Sequence, residues 1–362
     1  MSDLKDLVAP YILDLPPYPK GREWRGETDL TRLSANENPL GPSPQAVRAI
    51  TEALQGIHRY PDGAGTGLKE ELARRLRVSP DQIILGNGSN EIFELVARTF
   101  LQGGGEAVVP TPTFAYYRIA VQAQGGSCVL IPIKDFKIDL VAMARQVSAK
   151  TKVIFLSNPN NPTGTIFTRS EFDIFLTHIP PSTVVVVDEA YGEYVTDREY
   201  PAAHEYQQRD QWIITTKTFS KFYGLAGLRI GYGVARKELI EILEKVRQPF
   251  SVNYLAQKAA AAALTDTGHQ DKTARINKTG KAYLTAELSR QGLTFAPTEA
   301  NFILVHIGPK APQAVEELLR QGVVVRGMAA GYGLSEYIRV SIGLPEENKR
   351  FVEALQRWVK GS

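Results

Sequence analysis

Residues 215–232, TTKTFSKFYGLAGLRIGY, hold the first group that can do chemistry. A β-branched apolar run (212–216) stops at Thr218 and Ser220, and Lys221 follows directly. Beyond it come Gly224, Leu225, Ala226, Gly227 and a single arginine, Arg229. Aromatic, apolar and glycine neighbours strip water from Lys221, which disfavours its ammonium form and lowers its pKa. A neutral amine of this kind forms a Schiff base with an aldehyde. A lysine in a turn is most often merely solvated, so this reading needs support elsewhere.

Support lies in four further stretches and in two arginines. Gly86-Asn87-Gly88-Ser89-Asn90-Glu91 joins an expected strand to an expected helix. Glycines let backbone approach closely, and free N–H groups at a helix start attract an anion such as phosphate; Ser89 or Asn90 as a plain helix cap is the competing reading. The spacing matches neither a P-loop nor a dinucleotide fingerprint. Phe114, opening the next helix after Pro112-Thr113, can lie on an aromatic ring, though such a phenylalanine is more often core. The run 157–164, SNPNNPTG, is a rigid irregular loop able to aim an asparagine amide at a ligand. Asp188, in Val187-Asp188-Glu189-Ala190-Tyr191, ends a buried strand, where an acid is costly unless it meets a cation. A pyridinium nitrogen is such a cation: the carboxylate keeps it protonated, and the ring then acts as an electron sink. Tyr191 can hydrogen-bond the same ring's phenolic oxygen. Asp188 as a helix cap stays open, while a metal role lacks a third carboxylate or a histidine motif. Arg326 and Arg339 sit inside apolar runs, where a guanidinium needs a carboxylate or phosphate partner.

These residues must be positioned by strands and helices in alternation. Short apolar runs at 82–85, 106–109, 127–131, 152–156, 183–187, 212–216 and 229–234 read as strands. Amphipathic stretches at 91–101, 114–124, 140–147 and 170–178 read as helices. That pattern predicts an α/β fold with a mainly parallel central sheet flanked by helices, its ligand beyond the carboxyl ends of the strands. Residues 1–45 are proline-rich (Pro10, Pro16, Pro17, Pro19, Pro39, Pro42, Pro44) and read as an extended arm on the small domain and the site entrance. A helix is expected from Ser43-Pro44 onward, followed by a loop through the glycine cluster at 63–67. After about 236 the pattern turns helical to 291. Then come strand 301–307, helix 311–321, strand 323–326, strand 337–342 and helix 345–359. We expect an arm (1–45), a large domain (46–255) and a smaller α+β C-terminal domain (256–362).

Composition removes several function classes. With 362 residues, 43% of them hydrophobic and 22% charged, the chain has the balance of a soluble enzyme. A net charge of +3 and the lack of any basic run interleaved with aromatics argue against nucleic acid. One cysteine, Cys128, excludes an internal disulfide and a cysteine metal cluster, and the five histidines show no metal-ligand spacing. No signal peptide or membrane span is expected, and the cytoplasm is the expected compartment.

Taken together, the chain resembles the fold-type I pyridoxal-phosphate enzymes of the class I/II aminotransferases, and within them the histidinol-phosphate subfamily. The resemblance rests on Ala35-Asn36-Glu37-Asn38-Pro39 with GPSP at 41–44, Arg59-Tyr60-Pro61, GNGSNE, NNPTG at 160–164, DEAY at 188–191, residues 218–229, Asn253, Ala300-Asn301-Phe302, and 337–343 followed by PEEN. It implies that Lys221 holds pyridoxal 5'-phosphate covalently and shuttles the α-proton. Asp188 pairs with the ring nitrogen, Asn161 and Tyr191 bind the phenolic oxygen, and Phe114 stacks on the ring. Gly88, the amides of Ser89 and Asn90, Thr218, Ser220 and Arg229 hold the phosphate. Tyr60 reaches that phosphate from a neighbouring subunit, so a homodimer with shared sites is expected. Arg339, assisted by Arg326, binds the donor carboxylate or the substrate phosphate, with Asn36 at the same entrance. Tyr11 or Tyr18 of the arm covers the site. Asn90 stands where relatives commonly have Asp, and Phe222 replaces a smaller residue. The implied reaction is amino transfer between L-histidinol phosphate/2-oxoglutarate and imidazole acetol phosphate/L-glutamate. Aromatic amino-acid transamination and threonine-phosphate decarboxylation are the alternatives on the same fold. A non-catalytic sensing module would need a DNA-binding segment before residue 45, and the proline-rich arm does not supply one.

Overall fold

A computed structural model describes residues 3–15, 18 and 29–361; Pro16, Pro17 and Pro19 of the expected arm lie outside the described residues. In chain order the helices and strands are α1 (Pro10–Leu13), β1 (Thr31–Arg32), α2 (Pro44–Ala53), α3 (Thr66–Leu76), β2 (Ile83–Gly86), α4 (Ser89–Phe100), β3 (Glu106–Thr111), α5 (Tyr116–Gln122), β4 (Ser127–Pro132) and α6 (Leu140–Arg145). They continue with β5 (Thr151–Ser157), α7 (Arg169–Thr177), β6 (Val184–Asp188), β7 (Trp212–Thr218), β8 (Gly231–Ala235), α8 (Lys237–Glu244), α9 (Tyr254–Thr265) and α10 (Thr267–Arg290). The last six are β9 (Phe302–His306), α11 (Ala311–Arg320), β10 (Val323–Val324), β11 (Arg326–Gly327), β12 (Tyr337–Ser341) and α12 (Pro345–Gly361).

Seven strands form one sheet in the order β2-β8-β7-β6-β5-β3-β4. Pairs β4–β3, β3–β5, β5–β6 and β6–β7 are parallel, and β8 runs antiparallel to both β7 and β2. The expected mainly parallel sheet is therefore present. Side chains alternate between its faces. Phe155, Val184 and Val186 pack with Phe93 and Tyr117 on one side, while Ile154, Leu156, Val185 and Val187 pack with Met143 and Phe172 on the other. Burial on both faces explains why β6 reads as four consecutive valines, each worth roughly 1.5–3 kcal/mol once buried.

A second sheet, β11-β12-β9, is antiparallel and packs with α10, α11 and α12 around Ile303, Val340 and Phe351. Leu33, just after β1, is buried in that cluster, and β1 pairs in parallel with β10. The alanines of α9 pack instead with Leu72, Leu85 and Phe219 beside the large sheet.

Four local readings differ. The arm, expected to be extended, carries the short helix α1, and the strand expected from 229 begins at Gly231, after a left-handed Arg229. The expected strand 323–326 is divided: β10 pairs with the arm and β11 with β12, with Val325 buried between them. Helix α3 follows the glycine cluster although no helix was expected there. It opens on Gly65 at φ +64° without a side-chain cap, and it buries only Leu68, Leu72 and Ala73 under a charged face. Among the described residues no helix is long and apolar enough to cross a membrane, and none groups three metal-ligating side chains.

Candidate active site

The carboxyl ends of β2, β3, β5, β6 and β7 lead into the GNGSNE, Pro112–Phe114, SNPNNPTG, DEAY and Lys221 segments. Beside them lies a cavity of about 390 Å³ lined by Tyr18, Asn36, Ser89, Asn90, Phe114, Asn161, Asp188, Tyr191, Thr218, Ser220, Lys221, Arg229, Arg326 and Arg339, among others. Gly88 and Tyr60 do not line it.

At the floor, Asp188 is 4% exposed. One carboxylate oxygen accepts the Tyr117 hydroxyl at 2.6 Å; the other accepts the Ala190 N–H at 3.0 Å and the Thr216 hydroxyl at 3.4 Å. Burial pushes its pKa up to about 6, and the three donors oppose that rise. No ion pair is recorded for Asp188 among the described residues, so a protonated ring nitrogen is the kind of partner it lacks.

Lys221 is half-buried, and its Nζ donates to the Ala35 carbonyl at 2.8 Å. Burial, and next the Arg339 charge, bring its pKa down to about 8. Sequence reasoning predicted that direction from the apolar neighbours alone.

Tyr191 is buried, and its hydroxyl accepts from the Asn36 side chain at 3.0 Å. Asn36, at φ +56°, also donates its N–H to Ser341 at 2.8 Å and accepts from Asn301 at 3.0 Å. It therefore aims Tyr191 as well as bordering the cavity.

The same cavity is lined by two arginines. Arg326 and Arg339 are register partners on β11 and β12, so two cations sit across one antiparallel pair, an arrangement an anion relieves. Arg339 is 6% exposed, donates to Asn161 at 2.5 Å and to the Ser34 carbonyl at 3.0 Å, and lies over the Phe302 ring. Among the described residues its buried Nε has no hydrogen-bond partner.

The expected phosphate-binding residues lie at the start of α4 and in the turn before β8. Gly88 precedes α4 at φ +73°, where a Cβ would sit 2.6 Å from the Arg229 guanidinium. Arg229 itself adopts φ +54° and donates to Ser220 at 3.3 Å and to the Ala226 carbonyl at 3.0 Å. A Cβ on Gly231 would come within 2.5 Å of the Ser89 nitrogen. Backbone donors, two hydroxyls and a guanidinium thus converge on a space that bare glycines keep open, a donor set suited to a phosphate. The residues fit pyridoxal phosphate at both ends.

Phe114 borders the cavity, edge-on to Tyr117 at 5.5 Å and to Tyr18 at 6.5 Å. Of the two arm tyrosines, Tyr18 reaches the cavity and Tyr11 packs against Gly125. Tyr60 is 83% exposed and stacks on Phe250 at 4.8 Å. Sequence reasoning missed Tyr117, Glu37 and Tyr332. For Tyr117 a signal existed, since it lies three residues after Phe114 at the start of α5 and so shares its side of the chain.

Comparison with known proteins agrees. Residues 28–355 match the family model for aminotransferase class I and II. Histidinol-phosphate aminotransferase 2 of Hydrogenovibrio crunogenus is 45% identical over 99% of this chain and 97% of its own. Histidinol-phosphate aminotransferase of Moorella thermoacetica is also 45% identical, over 96% of this chain and 90% of its own. The structure of histidinol-phosphate aminotransferase from Sinorhizobium meliloti in complex with pyridoxal-5'-phosphate superimposes with a TM-score of 0.88 at 27% identity, covering 98% of each chain. With the cavity, the buried acid and the lysine in place, the chain belongs to the class I and II aminotransferases.

Proposed function

We propose that this chain moves an amino group between L-glutamate and imidazole acetol phosphate, giving 2-oxoglutarate and L-histidinol phosphate, in both directions and by a ping-pong course. The observation that carries it is the pair of register-matched arginines, one with an unpartnered buried Nε, facing the Lys221–Asp188 floor across one cavity. Near-full-length identity of 45% to histidinol-phosphate aminotransferases supports the substrate.

Bound pyridoxal phosphate supplies a reactive aldehyde and an electron-accepting ring. Asp188 holds a proton at the ring nitrogen. Asn161 and Tyr191 donate toward the phenolic oxygen, Tyr191 oriented by Asn36. The amides of Ser89 and Asn90, with Thr218, Ser220 and Arg229, would hold its phosphate next to Gly88, and Phe114 would pack on its ring. Lys221 Nζ, poised near neutral pH, anchors the cofactor and then carries the proton to and from the substrate α-carbon. Arg339, with Arg326, takes the glutamate carboxylate or the phosphate of the other substrate.

The division into arm (1–45), large domain (46–255) and small domain (256–362) is part of this proposal; the boundary falls within α9, whose alanines pack beside the large sheet. So is a homodimer in which the partner's Tyr60 reaches the phosphate, which its exposure and its absence from its own cavity support. The lone Cys128 supports a reducing cytoplasm.

Single-turnover spectroscopy on cofactor-loaded protein tests the reading. Histidinol phosphate should convert the visible band to the pyridoxamine band much faster than phenylalanine does. Equal conversion by phenylalanine would point to an aromatic transaminase. Release of CO2 from threonine phosphate without that conversion would point to a decarboxylase.

A further inference from the structure

Behind the cavity, on the far face of β7, lies a buried charge cluster that the reaction as described does not use. Side chains alternate along a strand. Thr216 and Thr218 face Asp188 and the cavity, while Lys217 points to the other side. Its Nζ lies 3.1 Å from Glu189 and 3.5 Å from Glu193, and the Lys217 and Glu189 side chains are 10% and 1% exposed. Glu189 uses its other oxygen to accept the Ala203 N–H at 2.8 Å.

The two carboxylates bracket the catalytic segment. Glu189 directly follows Asp188, and Glu193 stands two residues after Tyr191. Between them, Gly192 is packed tightly against the cluster: a Cβ there would lie 3.0 Å from the Tyr200 hydroxyl and 3.1 Å from Lys217 Nζ. Tyr200 in turn donates to the Asn158 carbonyl at 2.7 Å, at the start of the loop that carries Asn161. Three groups named for the cofactor ring therefore share one support. The cluster holds one cation against two carboxylates, with Tyr200, Tyr232 and His204 around it, so removing the cation leaves two buried acids beside Asp188.

We propose that Lys217 is a positioning residue: through Glu189 and Glu193 it fixes the backbone segment that presents Asp188 and Tyr191 to the cofactor. The inference rests on the reading of the cavity as a pyridoxal-phosphate site.

Its test uses Lys217→Met, Lys217→Arg and Glu193→Gln, with Lys69→Met as a control that breaks a 3.1 Å ion pair to Glu244 away from the cavity. Three quantities are measured: the pyridoxal-phosphate dissociation constant, the pH titration of the bound cofactor's absorbance, and the melting midpoint of the cofactor-free protein. Lys217→Met should weaken cofactor binding about tenfold or more, as loss of supporting hydrogen bonds does at other sites. It should also move the absorbance titration by about half a pH unit, because the groups touching the ring are displaced. Lys217→Arg should restore most of both. Glu193→Gln, which keeps the Glu189 pair, should move both in the same direction by less. Lys69→Met should change the melting midpoint alone. A folded Lys217→Met protein with the wild-type dissociation constant and titration would overturn the proposal. If that variant does not fold, unchanged values in Glu193→Gln would overturn it equally. Wild-type protein that fails to bind pyridoxal phosphate would instead overturn the reading of the cavity.

Discussion

Asp188 combines deep burial with a negative charge, and its protonation links the site to stability. Its pKa in the fold is raised from 3.8 to about 6 by burial. Between those values the folded chain binds more protons than the unfolded one, so the cofactor-free protein loses stability as pH rises through this window. The full effect is on the order of 3 kcal/mol at this shift. Denaturant midpoints of cofactor-free protein should therefore fall between pH 4 and 6.5, and Asp188→Asn should flatten that dependence; parallel curves would contradict the assignment. Tyr117→Phe removes a donor that lowers the Asp188 pKa. A hydrogen bond to a charged group is worth about 1.5–3 kcal/mol, so the ionised acid becomes dearer and cofactor-free protein should destabilise more at pH 7 than at pH 4. Lys221 is tested chemically. After borohydride treatment of the loaded protein, mass spectrometry should find the cofactor on the Lys221 peptide, and Lys221→Ala should carry none.

At the scale of elements, the phosphate end depends on two backbones meeting. The start of α4 and the strand β8 approach so closely that Gly231 has the Ser89 nitrogen 2.5 Å and the Lys217 carbonyl 2.8 Å from a hypothetical Cβ. Gly231→Ala must push these backbones apart, a strain of about 1–3 kcal/mol. Isothermal titration should show cofactor affinity falling with the loss centred on the phosphate, so pyridoxal without phosphate should be affected far less. Motifs at strand ends were legible because each joins a periodic apolar run to glycine, proline or a cap. The division of 323–326 was not legible, since Val323, Val324 and Val325 are alike in sequence and only their partners, β1 for one half and β12 for the other, separate them. Helix α3 was hidden by its glycine-rich start and by a charged face that leaves few apolar positions to count.

For the whole molecule, the proposed dimer makes each site depend on two chains. Tyr60 is exposed and does not line its own cavity, whereas Lys221 does. Refolding an equal mixture of Lys221→Ala and Tyr60→Ala chains should regenerate one intact site in each mixed dimer. Random pairing then gives about a quarter of wild-type activity from two weakly active parents. Activity no higher than the parental average would exclude shared sites.

Sequence by itself determined the mainly parallel character of the sheet, the order of its motifs and the lysine, acid and arginines that line the cavity, because local periodicity and turn chemistry encode each strand end. It also set the direction of the Lys221 pKa through its apolar neighbours. Only tertiary structure decided how these pieces face one another: that Tyr117 caps Asp188, that Asn36 holds Tyr191, that Tyr18 rather than Tyr11 borders the cavity, and that Arg326 and Arg339 lie in register. Those pairs are separated by between 13 and 155 residues in the chain. Their meeting is fixed by sheet order and core packing, which no single segment carries.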